Sequence, residues 1–384
     1  MKILHVITRL IFGGAQQNTV MSCRAQVVAG HVVTLAFGPI YGPEGSLLEE
    51  AKTTGAELVE MPSMRRAVNP YRDVLCCRAL RRLIRRVQPD VVHTHSSKAG
   101  ILGRAAAWAQ HVPAVIHTVH GLPFHPRQPA IIQRAYITAE RWAARRCHHL
   151  IAITPAMVEA FVQHNIAPQE KFTVIHSGVD ASKFSPRPQL RDGVRRELGI
   201  PVHAPVVGIV ARLDPYKGHD DLLRIFPRLE RRFAGLRMLF VGDGWGRAKV
   251  QRHPLVRAGK VVLTGLVSLE RIPGYLSAMD VKVLPSYQEG QSRTLVEALL
   301  CACPIVAYDV GGIRSICIDR QTGLLVTAGE VDTLADAIAW MLDHPAERAD
   351  MARRGRAHVQ QTFTAERMFE QLEQLYHKVL NRKD

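Results

Sequence analysis

Two doubly wound α/β domains are the architecture that this 384-residue sequence predicts. Three observations carry the prediction. Short β-branched apolar runs alternate with longer stretches of helical spacing, the runs are apolar throughout, and they fall into two successive series. Strands buried on both faces read as continuous Val/Ile/Leu runs, and a strand–helix–strand alternation lays them side by side in a parallel sheet. At roughly 100–200 residues per domain, the length also asks for two cores.

The first series places strands at 3–7, 31–36, 91–93, 115–118, 150–153 and 174–175, with helices at 74–87, 99–109 and 131–146 between them. The second places strands at 206–210, 238–241, 261–263, 281–284, 305–307 and 323–326. The junction falls in 179–205, where SPRP and PVHAP suit a linker because proline extends neither a helix nor a central strand. At the end of the chain, Met368, Leu372, Leu375, Tyr376 and Val379 recur at helical spacing and predict an amphipathic helix.

Composition removes several classes of protein. With 47% hydrophobic and 22% charged residues and no low-complexity tract, the chain is neither disordered, collagenous nor a coiled coil. No apolar run approaches the roughly 20 residues that span a bilayer. The opening MKILHVITRLIFGG is interrupted by His5, Thr8 and Arg9, so it reads as a buried strand and not a signal peptide. Seven cysteines, none in CxxC spacing, form neither a zinc site nor a disulfide framework, which points to a reducing cytosol. Fifty Lys+Arg against 34 Asp+Glu leave +16, which suits nucleic acid, an anionic lipid surface or a phosphorylated substrate. Both halves share the excess, and aromatics are only 6%, so no base-stacking platform accompanies it. That argues against nucleic acid.

Candidate site residues sit where strands end, which is where ligands of open α/β sheets collect. Gly13 and Gly14 follow the first strand and open a helix, an arrangement that can hold a phosphate at a helix N-terminus or simply turn the chain. GxGxxG is absent, so a nicotinamide dinucleotide is not expected. His93, Thr94 and His95 close one strand, and His117 to Gly121 close another; His120, beside Gly121 in a tight turn, suits substrate contact better than metal binding. Arg212 and Lys217 lie in a Pro/Gly-bounded loop after 206–210, and suit a diphosphate or, equally, the neighbouring Asp214, Asp220 and Asp221. Glu289 and Glu297 are eight apart, about 12 Å along a helix, too far for the carboxyl pair of a retaining glycosidase. Glu289 falls in a loop and Glu297 in the otherwise apolar helix 294–301. They could touch different parts of one long ligand whose phosphates rest on the N-terminus at Gln291–Thr294; alternatively, Glu297 pairs with Arg293 or Arg314.

Taken together, GGAQ, HTHSSKAGILGR, HTVHG, VIHSGVD, VARLDPYKG, VGDG, EGQSRTLVEALLCACPIVAYDVGG and TGLLV resemble the retaining glycosyltransferases of family 4, over nearly the whole chain. The resemblance implies the GT-B fold, with an acceptor-binding domain at 1–180, a donor-binding domain at 181–363 and a terminal helix 364–384 returning to the first. It implies transfer from a nucleotide diphosphosugar, expected to be a UDP-sugar, to an acceptor hydroxyl with retention; the sequence has no DxD, and Asp220-Asp221 lack strand-end context, so neither metal nor cofactor is expected. By position, Arg212 and Lys217 would bind the diphosphate, Glu289 the sugar and Glu297 the ribose. Gly290, Gln291, Ser292, Arg293 and Thr294 would line the phosphates. His95, His120, Gly13 and Gly14 would face the reacting centre and the acceptor. His176-Ser177, Gln16 and Gln291 depart from the commonest family pattern, and none removes a cation the diphosphate needs.

The arginines Arg78, Arg81, Arg82, Arg85 and Arg86 form one face of the helix 74–87, opposite Val74, Leu75, Leu80, Leu83, Ile84 and Val87. Such a face rests either in water or on an anionic membrane carrying a lipid-linked acceptor, at the inner side of the cytoplasmic membrane. Two rivals are a sugar-nucleotide 2-epimerase of the same architecture and a non-enzymatic polyanion binder. The first needs facing acid/base carboxylates that these motifs do not identify. The second needs neither the spaced glutamates nor the Arg/Lys loop.

Overall fold

In the computed structural model, residues 1–41, 45–124 and 128–381 are described, so residues 382–384 of the expected terminal helix lie outside the description. The chain forms two compact units, Met1–Gly178 with Ala365–Asp384, and Val179–Thr364. No described helix is long and apolar enough to cross a membrane.

In the first unit, β1 (Lys2–Arg9), β2 (Val32–Gly38), β3 (Glu57–Glu60), β4 (Val91–His95), β5 (Ala114–Val119), β6 (His149–Ala152) and β7 (Phe172–Val174) form one sheet in the order β3-β2-β1-β4-β5-β6-β7. The described pairings are all parallel. The unexpected strand is β3, whose ELVE carries an acid at each end. An edge strand is only half covered, so it needs no continuous apolar run. The terminal helix Ala365–Leu380 buries Met368, Leu372, Leu375, Tyr376 and Val379 against Ile3, Val91, Ala114, Ile116 and Ile151. Burying each of those large side chains contributes about 1.5–3 kcal/mol.

The basic helix Pro70–Val87 starts at Asn69, whose side chain accepts from the Arg72 backbone N–H at 3.0 Å, with proline at the first helical position. Cys76, Leu80, Leu83 and Ile84 are its buried positions. Val74 and Leu75, expected beside them, are instead exposed, because the inner stripe of this helix is filled by those four side chains.

The second unit repeats the plan with β8 (Val206–Val210), β9 (Arg237–Val241), β10 (Val261–Gly265), β11 (Val281–Leu284), β12 (Ile305–Tyr308) and β13 (Leu324–Val326), ordered β10-β9-β8-β11-β12-β13. The segment 179–205 is not the loose linker its prolines suggest. It holds the helix Arg191–Glu197 and buries Phe184, Ile200 and Ala204 in the second core. Arg195, fully buried, donates to the carbonyls of Val202, Ala204 and Ala278 and to Asp280. Side-chain clamps therefore hold a stretch that has little regular backbone pairing. In each sheet, chain order reverses beside the first strand of the series, between β1 and β4 and between β8 and β11. Ligands of open α/β sheets bind at this switch point, beyond the carboxyl ends of the strands.

Candidate functional site

At the switch point of the second unit, the chain leaves β8 at Val210 and enters the Arg212–Gly218 loop. Asp214 accepts from the Tyr216 backbone N–H at 3.1 Å and so starts a 3-10 turn at Pro215–Lys217. Gly218 follows at φ +75°, and a Cβ there would stand 2.0 Å from the Pro285 carbonyl oxygen. Only glycine accepts both the left-handed backbone and that approach. The loops after β8 and β11 are thereby pressed together, and the Tyr287 N–H donates to the Tyr216 carbonyl at 2.8 Å. On this platform Lys217 Nζ donates to Glu289 Oε1 at 2.6 Å, with both side chains largely shielded from water.

The loop after β12 supports Glu289 from its other end. Gly311 lies at φ +53°, with the Glu289 carbonyl oxygen 2.0 Å from where its Cβ would be, and Gly312 N–H donates to Gly290 O at 2.9 Å. The helix then runs Arg293–Leu300, starting one residue earlier than expected; its N-cap Ser292 makes no side-chain cap bond and its first turn has no acid. Its leading amides therefore keep their partial positive charge. Gln291 and Ser292 are buried at this end.

Beneath the helix lies a residue that sequence reasoning missed. Lys282, in the middle of β11, is fully buried and donates to Thr294 Oγ1 at 2.9 Å. Burial pulls its ammonium down to about 7, against the attraction of Glu297. Burial likewise raises the Glu297 carboxyl, against Arg293 and Lys282. A lysine inside the apolar run VKVL was the available signal. Arg314 does not serve Glu297, since it pairs with Asp309 at 2.7 Å. The loop cations divide as well. Arg212, more than half exposed, reaches Asp214 at 3.4 Å, while Lys217 turns to Glu289; Asp220 holds Lys249, and Asp221 accepts from Tyr287 and Tyr308. A cavity of about 440 Å³ lined by Arg191, Arg195, Asp280 and Arg348 lies at the amino ends of β8 and β11, the wrong edge for this chemistry.

In the first unit, Gly13 caps the helix Gly14–Val28 with an extended φ of −179°, a conformation open to any residue, so the turn does not demand glycine there. The predicted histidines His93 and His95 end β4, and His120 follows β5 directly. Parallel register sets His5 beside His93 and His95 beside Thr118. His120 Nε2 lies 3.0 Å from His95 Nδ1, and His95 Nε2 lies 2.9 Å from His5 Nδ1. His5 Nε2 meets Gln26 Oε1 at 2.7 Å, and His93 lies between Tyr376 Oη at 2.6 Å and Thr118 Oγ1 at 2.7 Å. Burial holds all four imidazoles below their ordinary value, His5 at about 4 and His120 at about 3. One nitrogen from each of His5, His93 and His95 falls within 4.8 Å of the others, a spacing a metal ion could use. All six of those ring nitrogens already have hydrogen-bond partners, so a metal would have to break several bonds.

Residues 12–183 match the family model described as Glycosyltransferase Family 4, and residues 191–358 match that of Glycosyl transferases group 1. The chain is 30% identical over 287 residues to the 2-deoxystreptamine glucosyltransferase of Streptomyces kanamyceticus, covering 72% of this chain and 74% of that one. It is 29% identical over 287 residues to an Escherichia coli UDP-Gal:alpha-D-GlcNAc-diphosphoundecaprenol alpha-1,3-galactosyltransferase, covering 74% of each. The Anabaena protein HepE, solved with UDP-glucose, shares the fold at a TM-score of 0.82 and 21% identity, covering 98% of this chain and 100% of that one. With two parallel Rossmann-like sheets, family matches over both units and a relative of this identity, the chain belongs to the GT-B glycosyltransferases of family 4 and group 1.

Proposed function

We propose that this glycosyltransferase moves a sugar from a UDP-type diphosphosugar to an acceptor hydroxyl with retention of the anomeric configuration and without a metal ion. One observation carries the donor assignment: Lys217 and Glu289, from loops after β8 and β11, are joined at the switch point, and the uncapped helix N-terminus at Arg293 follows four residues later. An ammonium and helix amides suit a diphosphate, and a carboxylate suits sugar hydroxyls. The names of the galactosyltransferase relative and of the HepE–UDP-glucose complex support a uridine nucleotide. Arg212, free to swing from its exposed contact with Asp214, joins Lys217 on the diphosphate. Gly290, Gln291, Ser292 and Thr294 frame the phosphates, and Glu297 meets the ribose. His120 and His95, with Gly13 and Gly14, belong to the sugar and acceptor side.

In this reading the bond from the anomeric carbon to the diphosphate oxygen breaks as the acceptor oxygen bonds that carbon on the same face. The acceptor proton passes to the leaving phosphate oxygen. Lys217, Arg212 and the helix N-terminus neutralise the charge that develops there, the role a metal plays elsewhere. Glu289 positions the sugar and forms no covalent bond.

Incubation with a panel of nucleotide sugars, following release of free nucleotide diphosphate, tests the donor. We expect UDP release with a UDP-sugar, unchanged by chelator, and a loss of about 100-fold or more for Lys217→Ala, as for removal of one transition-state charge donor. Unaltered turnover of that variant, or a covalent sugar trapped by Glu289→Gln, would overturn the reading.

The acceptor side points to a lipid-linked sugar. Val68, Tyr71, Val74 and Leu75 are exposed alongside Arg78, Arg81, Arg82 and Arg85 on the same helix and its lead-in, a combination suited to an anionic bilayer surface. Flotation of the whole chain with phosphatidylglycerol liposomes, lost when Arg81, Arg82 and Arg85 become glutamate, is the expected result; flotation that survives the reversal would sink the assignment.

A further inference from the structure

We infer that Gln26, through His5 and His95, sets the tautomer of His120 so that His120 presents an unprotonated Nδ1 as a hydrogen-bond acceptor for a substrate hydroxyl. This rests on the placement of His120 in the proposed sugar site; Gln26, His5 and His95 are positioning residues acting through it.

The direction of the chain follows from counting protons. A neutral imidazole carries one N–H, so if one nitrogen donates the other accepts. The Gln26 amide oxygen accepts from His5 Nε2 at 2.7 Å, which leaves His5 Nδ1 as an acceptor. His95 Nε2 must then donate to it at 2.9 Å, and His95 Nδ1 must accept from His120 Nε2 at 3.0 Å. The one proton of His120 is thereby used, and its Nδ1, buried and without a partner, carries the lone pair. The amide nitrogen of the same Gln26 runs a second arm. It donates to Tyr376 Oη at 3.3 Å, Tyr376 donates to His93 Nδ1 at 2.6 Å, and His93 Nε2 donates to Thr118 Oγ1 at 2.7 Å.

Turning the Gln26 amide by 180° would reverse every bond in both arms and put a proton on His120 Nδ1. The chain therefore has two states, chosen by one side chain three hydrogen bonds away from His120. Tyr376, on the terminal helix Ala365–Leu380, ties the second arm to the same choice, because its hydroxyl accepts from the amide while donating to His93 and would do the reverse if the amide turned. The chain does not conduct protons to solvent, since it ends in a fully buried amide. A hydroxyl that donates to His120 Nδ1 is therefore oriented and not deprotonated. Neutrality of the buried rings, favoured by desolvation, keeps the single-proton rule in force.

The test is long-range ¹⁵N–¹H correlation of the histidine-labelled full chain without ligand, which needs no variant. Nε2–H tautomers are expected at His5, His95, His120 and His93. A proton on His120 Nδ1, an imidazolium, or stoichiometric zinc retained on His5, His93 and His95 would overturn the inference. Kinetics supply the second arm. Gln26→Met should mix the tautomers and lower kcat/KM about tenfold, the scale of one oriented hydrogen bond, while Gln26→Glu, which keeps the acceptor for His5 but loses the donor to Tyr376, should restore the Nε2–H tautomer of His120 and its share of kcat/KM without restoring the His93 arm. The loss should vanish when Gln26→Met is made in His120→Ala; an equal loss in that background would mark Gln26 as merely structural. Nε2–H tautomers together with unimpaired turnover of His120→Ala would uphold the chain and refute the sugar-site reading of His120.

Discussion

Acidification from pH 7 to 5.5 should destabilise the first unit far more steeply than the second. His5, His93, His95 and His117 are almost wholly buried, and burial lowers each imidazole, His5 to about 4. The sign follows from linkage. An unfolded histidine takes up a proton near pH 6.5 that the native one refuses, so the contribution is complete above about 6.5 and is lost as pH falls toward the folded values. For a folded value well below 5.5, each ring costs about 1.2 kcal/mol over this interval, and with His120, lowered to about 3, the five together cost about 6 kcal/mol. That is a large fraction of the roughly 5–15 kcal/mol that holds a domain folded. The second unit has one comparable ring, His219, lowered by burial to about 4. Hydrogen exchange read by mass spectrometry, corrected for the intrinsic pH dependence, resolves β1, β4 and β5 from β8 and β11 in one sample. The expected slope in the first unit approaches five protons per unfolding event, against about one in the second. Equal slopes, or a first-unit slope of one proton or less, would show that these imidazoles are not held neutral by the fold.

Three further outcomes are expected. Gly218→Ala should lose about 1–3 kcal/mol in urea unfolding together with most of its transferase activity, since a Cβ at φ +75° would meet the Pro285 carbonyl and push the Lys217 loop away; retention of both would separate that loop from the site. Lys282, lowered to about 7 by burial, makes the unfolded state bind a proton the native state has lost between about pH 7 and 10.5, so stability should rise with pH across that window. Lys282→Met should flatten the rise in Tm from pH 7 to 9.5, and an unchanged profile would contradict the assignment. Glu140→Gln should cost about 3–5 kcal/mol, because Arg104, joined to Glu140 at 2.7 Å with both side chains buried, would be left as an unpaired interior charge; a loss below about 1 kcal/mol would place that charge in contact with water.

The β8 and β11 runs, VVGIV and VKVL, are legible because a strand covered on both faces must be apolar residue after residue. The spacing of Glu289 and Glu297, ahead of a Pro-Ile-Val strand and a Gly-Gly turn, made the family recognisable, since those residues lie close along the chain. Less was legible where burial and local pattern part company. The acidic ends of β3 concealed an edge strand, and the prolines of 179–205 concealed a segment clamped by Arg195. Lys282 was readable as a residue but not as the partner of Thr294.

Sequence by itself determined the two series of strands, the loops that end them and the residue types those loops carry, because backbone period, turn chemistry and side-chain charge are local properties. It could not determine partnerships. That Lys217 holds Glu289, 72 positions away, and that His5, His95, His120, Gln26 and Tyr376 share one set of protons, was decided by tertiary structure alone. Hydrogen bonds depend on distance and direction in space; parallel register sets His5 beside His93, and packing of the terminal helix brings Tyr376 to both His93 and Gln26.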